Sequence, residues 1–283
     1  MSSSPMPMPA PLETPLPTLS AWAHHFLHAE IPVLAESAEL LEGLRAHEDD
    51  VDANLIGETL AGDPLMALKI LSHVATHRRG RVDSDAETVI AALVLLGIGP
   101  FFRAFGPQPT VEDRLADHPA ALAGLNRVLR RANRAARFAL GFAAHRMDQD
   151  AAILHQAALL HDFADMLLWC HAPALALEIV ERQARQPGLR SAEAQRQVLN
   201  IELADLQQAL MRAWRLPEML VRISDDRHAD SAQVVNVMLA VRLARHSADG
   251  WTHPALQADI AELAALLNLG FEPARQLLLN LDE

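Results

Sequence analysis

The chain has 283 residues, with 36 acidic against 24 basic side chains, a net charge of −12 and one cysteine. A chain of this length forms one large domain or two small ones and buries a substantial core. The lone Cys170 excludes a disulfide scaffold and any multi-cysteine metal site. The acidic balance argues against bulk nucleic-acid binding, which needs a positive surface. No apolar run is long enough to span a bilayer, and the start lacks the basic-then-apolar layout of a signal peptide. The expectation is a soluble, cytoplasmic protein with no membrane insertion.

In chain order, residues 1–18 carry prolines at positions 5, 7, 9, 11, 15 and 17 and read as a disordered or extended tail. From Leu19 onward apolar residues recur at helical spacing, and no stretch alternates as a strand would. Helices are expected near 20–29, 36–47 and 52–61. Asp63-Pro64 then places a capping carboxylate before a proline at the first helical position, with Leu65, Leu68 and Leu71 on one face. Ser84-Asp85-Ala86-Glu87 has the spacing of a capping box, and Gly97 stands where a left-handed terminator belongs. Between them, Val89, Ile90, Leu93 and Val94 form an inward stripe. Arg103 to His118, with Gly106, Pro107 and Pro109, Pro119 just beyond and little helical periodicity, reads as the connection between two helical halves. Further helices are expected near 119–147, 150–170, 173–186, 191–213, 217–225, 231–247, 255–268 and 271–280. The fold class is all-α, with one subdomain over 19–105 and a second over 119–283.

Chemistry concentrates at Leu159-Leu160-His161-Asp162. A histidine and an aspartate side by side can both ligate a divalent metal, but a hydrolytic centre needs further ligands and an open position for water. This motif resembles the signature of the HD superfamily of metal-dependent phosphohydrolases. Ile31-Pro32-Val33-Leu34, Asp63-Pro64-Leu65 with Lys69-Ile70-Leu71, Ala92 through Leu96-Gly97, and Trp214-Arg215-Leu216-Pro217 are together similar to the HDOD family. There an extra helical subdomain precedes a degenerate HD-like bundle. The resemblance implies a signalling scaffold or sensor in a bacterial pathway, in some relatives near cyclic-dinucleotide signalling, and no reaction.

The departures support that implication. Aligned by the resemblance, the other ligand positions of active HD enzymes fall near Arg131 and Val241, and a position that often holds histidine falls at Leu203. A guanidinium or an isopropyl group cannot ligate a cation. Ala75-Thr76 replaces the family's Asn-Ser, and Ala164 and Asp165 replace its usual glycine and lysine. His161 and Asp162 are therefore expected to be a vestigial motif, hydrogen-bonded inside the bundle, with no metal, no cofactor and no catalytic residue. The alternative is a divergent phosphohydrolase that recruits His145, His155 or His228, and a third reading is a nucleotide receptor using the vestigial cavity. His228 is expected to pair with the acidic run Asp225-Asp226. The His24/His28 pair reads as a solvated helix start, and Cys170 as a buried thiol.

At 100° per residue, Arg127, Arg130, Arg131, Arg134 and Arg137 share an arc of about 120° on one helix. Two readings stay open. The face is either solvated and balanced by carboxylates, or it docks an acidic signalling partner or an anionic nucleotide. In the docking case, changing Arg130 and Arg134 to glutamate is expected to leave the melting temperature nearly unchanged.

Overall fold

Thr18 supplies the first clear helix start: its Oγ1 accepts the Ala21 N–H at 3.2 Å and opens α1 (Leu19–His28). Trp22 and Phe26, one turn apart, are its buried face, and the Trp22 indole donates to Leu199 O at 3.0 Å. The computed structural model describes residues 9–77 and 86–282. After α1 come α2 (Ala35–Arg45), α3 (Ala53–Leu60), α4 (Pro64–His77), α5 (Val89–Leu96), α6 (Ile98–Ala104), α7 (Val111–Arg114) and α8 (Pro119–His145). Then follow α9 (Ala151–Leu159), α10 (Phe163–His171), α11 (Pro173–Arg185), α12 (Ser191–Leu199), α13 (Leu203–Ala213), α14 (Glu218–Ile223), α15 (Ala232–His246), α16 (Leu256–Leu267) and α17 (Phe271–Asp282). Among the described residues there is no strand, only an isolated parallel bridge between Val33 and Thr110. The chain is all-α, as its periodicity predicts.

Three local expectations change. The helix predicted over 150–170 breaks at His161-Asp162, which form a turn between α9 and α10. The helix predicted over 191–213 breaks at Asn200, whose φ of 65° is a left-handed stop that asparagine tolerates. Ser84 and Asp85 of the proposed capping box lie outside the described residues. Thr88 caps α5 instead, through its Oγ1 and the Ala91 N–H, and Gly97 ends the helix at φ 82°.

The tail expectation divides. Residues 1–8 lie outside the described residues, while 9–18 have no regular secondary structure and are held in place. Arg114 Nη1 donates to Pro9 O, Leu12 N–H to His171 O at 2.7 Å, and Asn200 Nδ2 to Leu16 O at 3.2 Å. Proline favours an extended backbone, and here remote side chains and a helix end supply hydrogen bonds that the segment cannot make within itself.

The domain division also differs from the one read at Arg103–His118. One unit comprises the N-terminal half to Val128 together with Asp162–Leu216; the other comprises Leu129–His161 and Pro217–Glu283. The stretch expected to be a linker carries buried Phe105, Val111 and Leu115 inside the first unit. The division falls instead within α8, at Val128/Leu129. The first unit is built on Trp22, Phe26, Phe101, Phe105 and Phe163, and the second on Phe138, Phe142, Leu154, Val237, Leu263 and Leu278.

Candidate functional site

In the second unit, α9 packs against α15 and α14, and its C-terminal turn carries His161. The His161 side chain is 12% exposed, with Nε2 3.0 Å from Asp226 Oδ1 in the 3-10 turn Asp226–His228. In that same turn Asp225 Oδ2 meets His228 Nδ1 at 2.9 Å and also accepts through Oδ1 from the Arg227 N–H. The anticipated pairing of His228 with the acidic run is thus present. His155, on α9, is half-buried, and burial holds its imidazole below the ordinary range. His145 stands exposed at the end of α8.

A superfamily metal does not fit this arrangement. Among the described residues, no three His, Cys, Asp or Glu side chains come close enough together to hold an ion. His161 Nε2 instead faces Asp226 Oδ1 at 3.0 Å. At the remaining family positions of this unit, Arg131 is half-buried on α8 and Val241 is buried on α15.

In the first unit, Asp162 stands before α10. Its carbonyl accepts the N–H groups of Asp165 and Met166, and its side chain makes no cap bond to that helix. Leu203 is buried at the start of α13. Trp214 packs its ring 5.7 Å from that of Phe163, which anchors the Trp-Arg-Leu-Pro segment beside α10.

The first unit also holds a polar cluster that spacing alone could not reveal. Asp63 is 1% exposed. One oxygen accepts the Leu65 and Met66 N–H groups at 2.9 and 3.0 Å, and the other accepts Leu34 N–H at 2.8 Å. The same carboxylate thus caps α4 and ties down Ile31–Leu34. Burial raises this carboxyl, and hydrogen bonds from Leu34, Met66, Ser37 and Leu65 pull it back. Lys69, the only lysine, bridges Glu30 and Gln108. His171 donates from Nε2 to Glu30 O at 3.0 Å, and Arg114 donates to Cys170 O at 3.0 Å. Burial pushes the Cys170 thiol up, against nucleophilic use.

His171 gives the fold a defined acid sensitivity. It is 2% exposed, and burial, with Arg114 and His25 nearby, pushes it down to about 4 from 6.5. A base with a depressed folded value contributes stability that is complete above about pH 6.5 and is lost as pH falls toward 4. The expected loss is about 2 kcal/mol between pH 7.5 and 5, since each pH unit below about 6.5 removes about 1.36 kcal/mol. Urea midpoints at the two pH values should show it, and His171→Gln should be less stable at pH 7.5 yet lose less on acidification. An equal acid loss in that variant would assign the effect elsewhere.

The arginine face is not uniform. Arg127, Arg130 and Arg137 are exposed, while Arg131 and Arg134 are half-buried. Arg127 belongs to the first unit and the other four to the second. Arg134 pairs with Asp282 at 2.7 Å and donates to Ser247 O at 3.1 Å, so it is committed inside its own unit. Arg134 is therefore not part of a free docking face, contrary to the expectation from the helical wheel. No local pattern signals this commitment, because the partner lies 148 positions away.

Comparison with known proteins gives the family. The profile of the HDOD domain matches residues 31–229. Among solved structures, the chain is similar to the MmoQ response regulator of Methylococcus capsulatus (21% identity, TM-score 0.64, covering 88% of this chain and 98% of that one). It is likewise similar to a virulence factor of Campylobacter jejuni (16% identity, TM-score 0.66, covering 93% and 98%). At these identities the likeness is one of fold. No curated protein matches the chain.

Proposed function

Since the chain belongs to the HDOD domain family, we propose that it is a non-catalytic signal-transduction scaffold or sensor, acting through a protein partner or a bound ligand. The observation that carries this reading is the His161–Asp226 pair, 3.0 Å apart where the superfamily would place a metal ligand. Arg131, Leu203 and Val241 supply no donor for a cation. A held metal that lowers the pKa of its water needs three protein ligands or more. Among the described residues, His161 and His228 are each tied to a carboxylate here, and no three such side chains converge on one point. Among the described residues no single helix is long and apolar enough to cross a membrane. The expected setting is the bacterial cytoplasm.

The test is turnover. Incubated with manganese, iron or magnesium and a panel of nucleotides and phosphoesters, the chain is expected to release no product above buffer. Hydrolysis that vanishes in His161→Ala or Asp162→Ala would establish the divergent phosphohydrolase instead. A ligand-induced rise in melting temperature without turnover would identify the receptor form of the same proposal.

A further inference from the structure

Helix α5 reads Val89-Ile90-Ala91-Ala92-Leu93-Val94-Leu95-Leu96, without one polar or charged residue. Only Val89, Ala92 and Leu93 are buried; Ile90 is 37% and Val94 66% exposed, and Ala91, Leu95 and Leu96 are half-buried. The inward stripe predicted from the sequence therefore turns half outward. Ile90 and Val94, one turn apart, form its exposed edge. Along that edge runs α3, so close that a Cβ on Gly57 would collide with Ile90. The 3-10 turn Glu48–Asp50 packs on α6, the next helix in the chain.

The segment that forms α2, the 3-10 turn and α3, the helix beside α5, is acidic. Residues 35–60 contain Glu36, Glu39, Glu42, Glu48, Asp49, Asp50, Asp52 and Glu58 against Arg45 alone. Eight acids less one base give −7, more than half of the chain's −12 in a small part of its length. All eight acids are exposed. Arg45 is engaged with Glu42 and the carbonyls of Phe102 and Phe105. Among the described residues the other seven acids make no ion pair. Carboxylates crowded along one segment repel one another, with Arg103 of α6 the cation that comes near Glu48, and an apolar edge beside that segment stays in water at a cost of about 25 cal/mol per Å². A single occupant that is apolar along one face and cationic along its flanks relieves both.

We propose that the exposed face of α5 and the acidic residues of α2 and α3 form a docking seat for a basic amphipathic helix of a partner protein. This deepens the reading of the chain as a scaffold and rests on it. A second copy is the wrong occupant, because an isologous contact would set −7 against −7, and like charges across an interface oppose association. A helix with leucines at i, i+3, i+4 and i+7 and lysines or arginines beside them matches both the stripe and the rim. The acidic rim then speeds encounter, while Ile90 and Val94 provide the anchor.

The full chain would be titrated against a dye-labelled amphipathic helix of leucine and lysine, with a leucine–glutamate helix as control, at low and high salt. Binding of the lysine helix alone, weakening with salt, is expected. The deciding variant is Val94→Glu, which adds negative charge while breaking the apolar stripe. If the seat is real, affinity falls about tenfold or more with an unchanged melting temperature. If the helix is held only by bulk negative charge, affinity is unchanged or rises, and the proposal is overturned. Glu58→Lys is expected to weaken binding modestly and to flatten its salt dependence. Sedimentation that finds a dimer dissolved by Val94→Glu would also overturn the proposal, assigning the face to a second copy. Either failure leaves the scaffold reading standing, since that reading fails on phosphoester turnover.

Discussion

Arg134→Glu is expected to destabilise the protein by about 3 kcal/mol, whereas Arg130→Glu and Arg137→Glu each stay within about 0.5 kcal/mol of the parent. The five arginines look equivalent on a helical wheel, but their surroundings differ. Arg134 meets both carboxylate oxygens of Asp282 at 2.7 Å, through Nε and Nη2. Nη2 also donates to Ser247 Oγ at 3.0 Å, and the guanidinium lies over the rings of Phe138 and Trp251. The two side chains of the pair are only 18% and 19% exposed. A bidentate pair so placed is stronger than a surface one. Its removal strands Asp282, and the introduced glutamate repels it. For a chain of this size the loss corresponds to a fall in melting temperature of roughly 6–12 °C. Calorimetry of the three single variants decides the matter. If Arg134→Glu melts with the parent, the pair is not holding α17, and an Arg130/Arg134 double variant would be thermally silent, as a free docking face requires.

Asp63→Ala is expected to cost about 3–4 kcal/mol, from a lost cap plus buried N–H groups left without a partner. Three backbone donors depend on this one carboxylate. Leu65 and Met66 belong to the first turn of α4, where no helical carbonyl can serve them. Leu34 lies 29 positions upstream, so the variant should loosen Ile31–Leu34 as well as the helix start. Asp63→Asn separates the contributions. Its amide oxygen can still accept from Leu65 and Met66, but its NH₂ would then face the Leu34 N–H, donor against donor. An intermediate loss of about 2 kcal/mol is expected, with faster hydrogen exchange at Leu34 than at Met66. An asparagine variant as stable as the parent would mean that the bond to Leu34 contributes nothing.

Asp63 and Arg134 are both conspicuous as residue types, yet their roles are only partly legible along the chain. Asp63 reads as a cap because capping acts within three residues: an acid followed by proline and an apolar periodicity has few other meanings. Its second duty, holding Leu34, has no local signature. Arg134 is recognisable as part of a basic face, but its partner comes from the last turn of α17. The vestigial motif shows the same division. His161 and Asp162 stand out by resemblance, and His228 with Asp225 by proximity in sequence, whereas Asp226 as the partner of His161 needs the folded second unit.

The all-α class, most helix starts and the helical spacing of apolar residues are legible along the chain. These depend on hydrogen bonds four residues apart and on caps within one turn, so a short window contains their cause. Asn200 and the His161-Asp162 turn escaped because the helical pattern continues on either side of each break. Contacts between distant segments settle that residues 9–18 are pinned, that Asp162–Leu216 joins the N-terminal unit, that Arg134 is internally paired, and that α5 turns Ile90 and Val94 to solvent. Each depends on which distant segment covers a given helix face. Covering is a property of packing between elements, where sequence separation carries no information about distance.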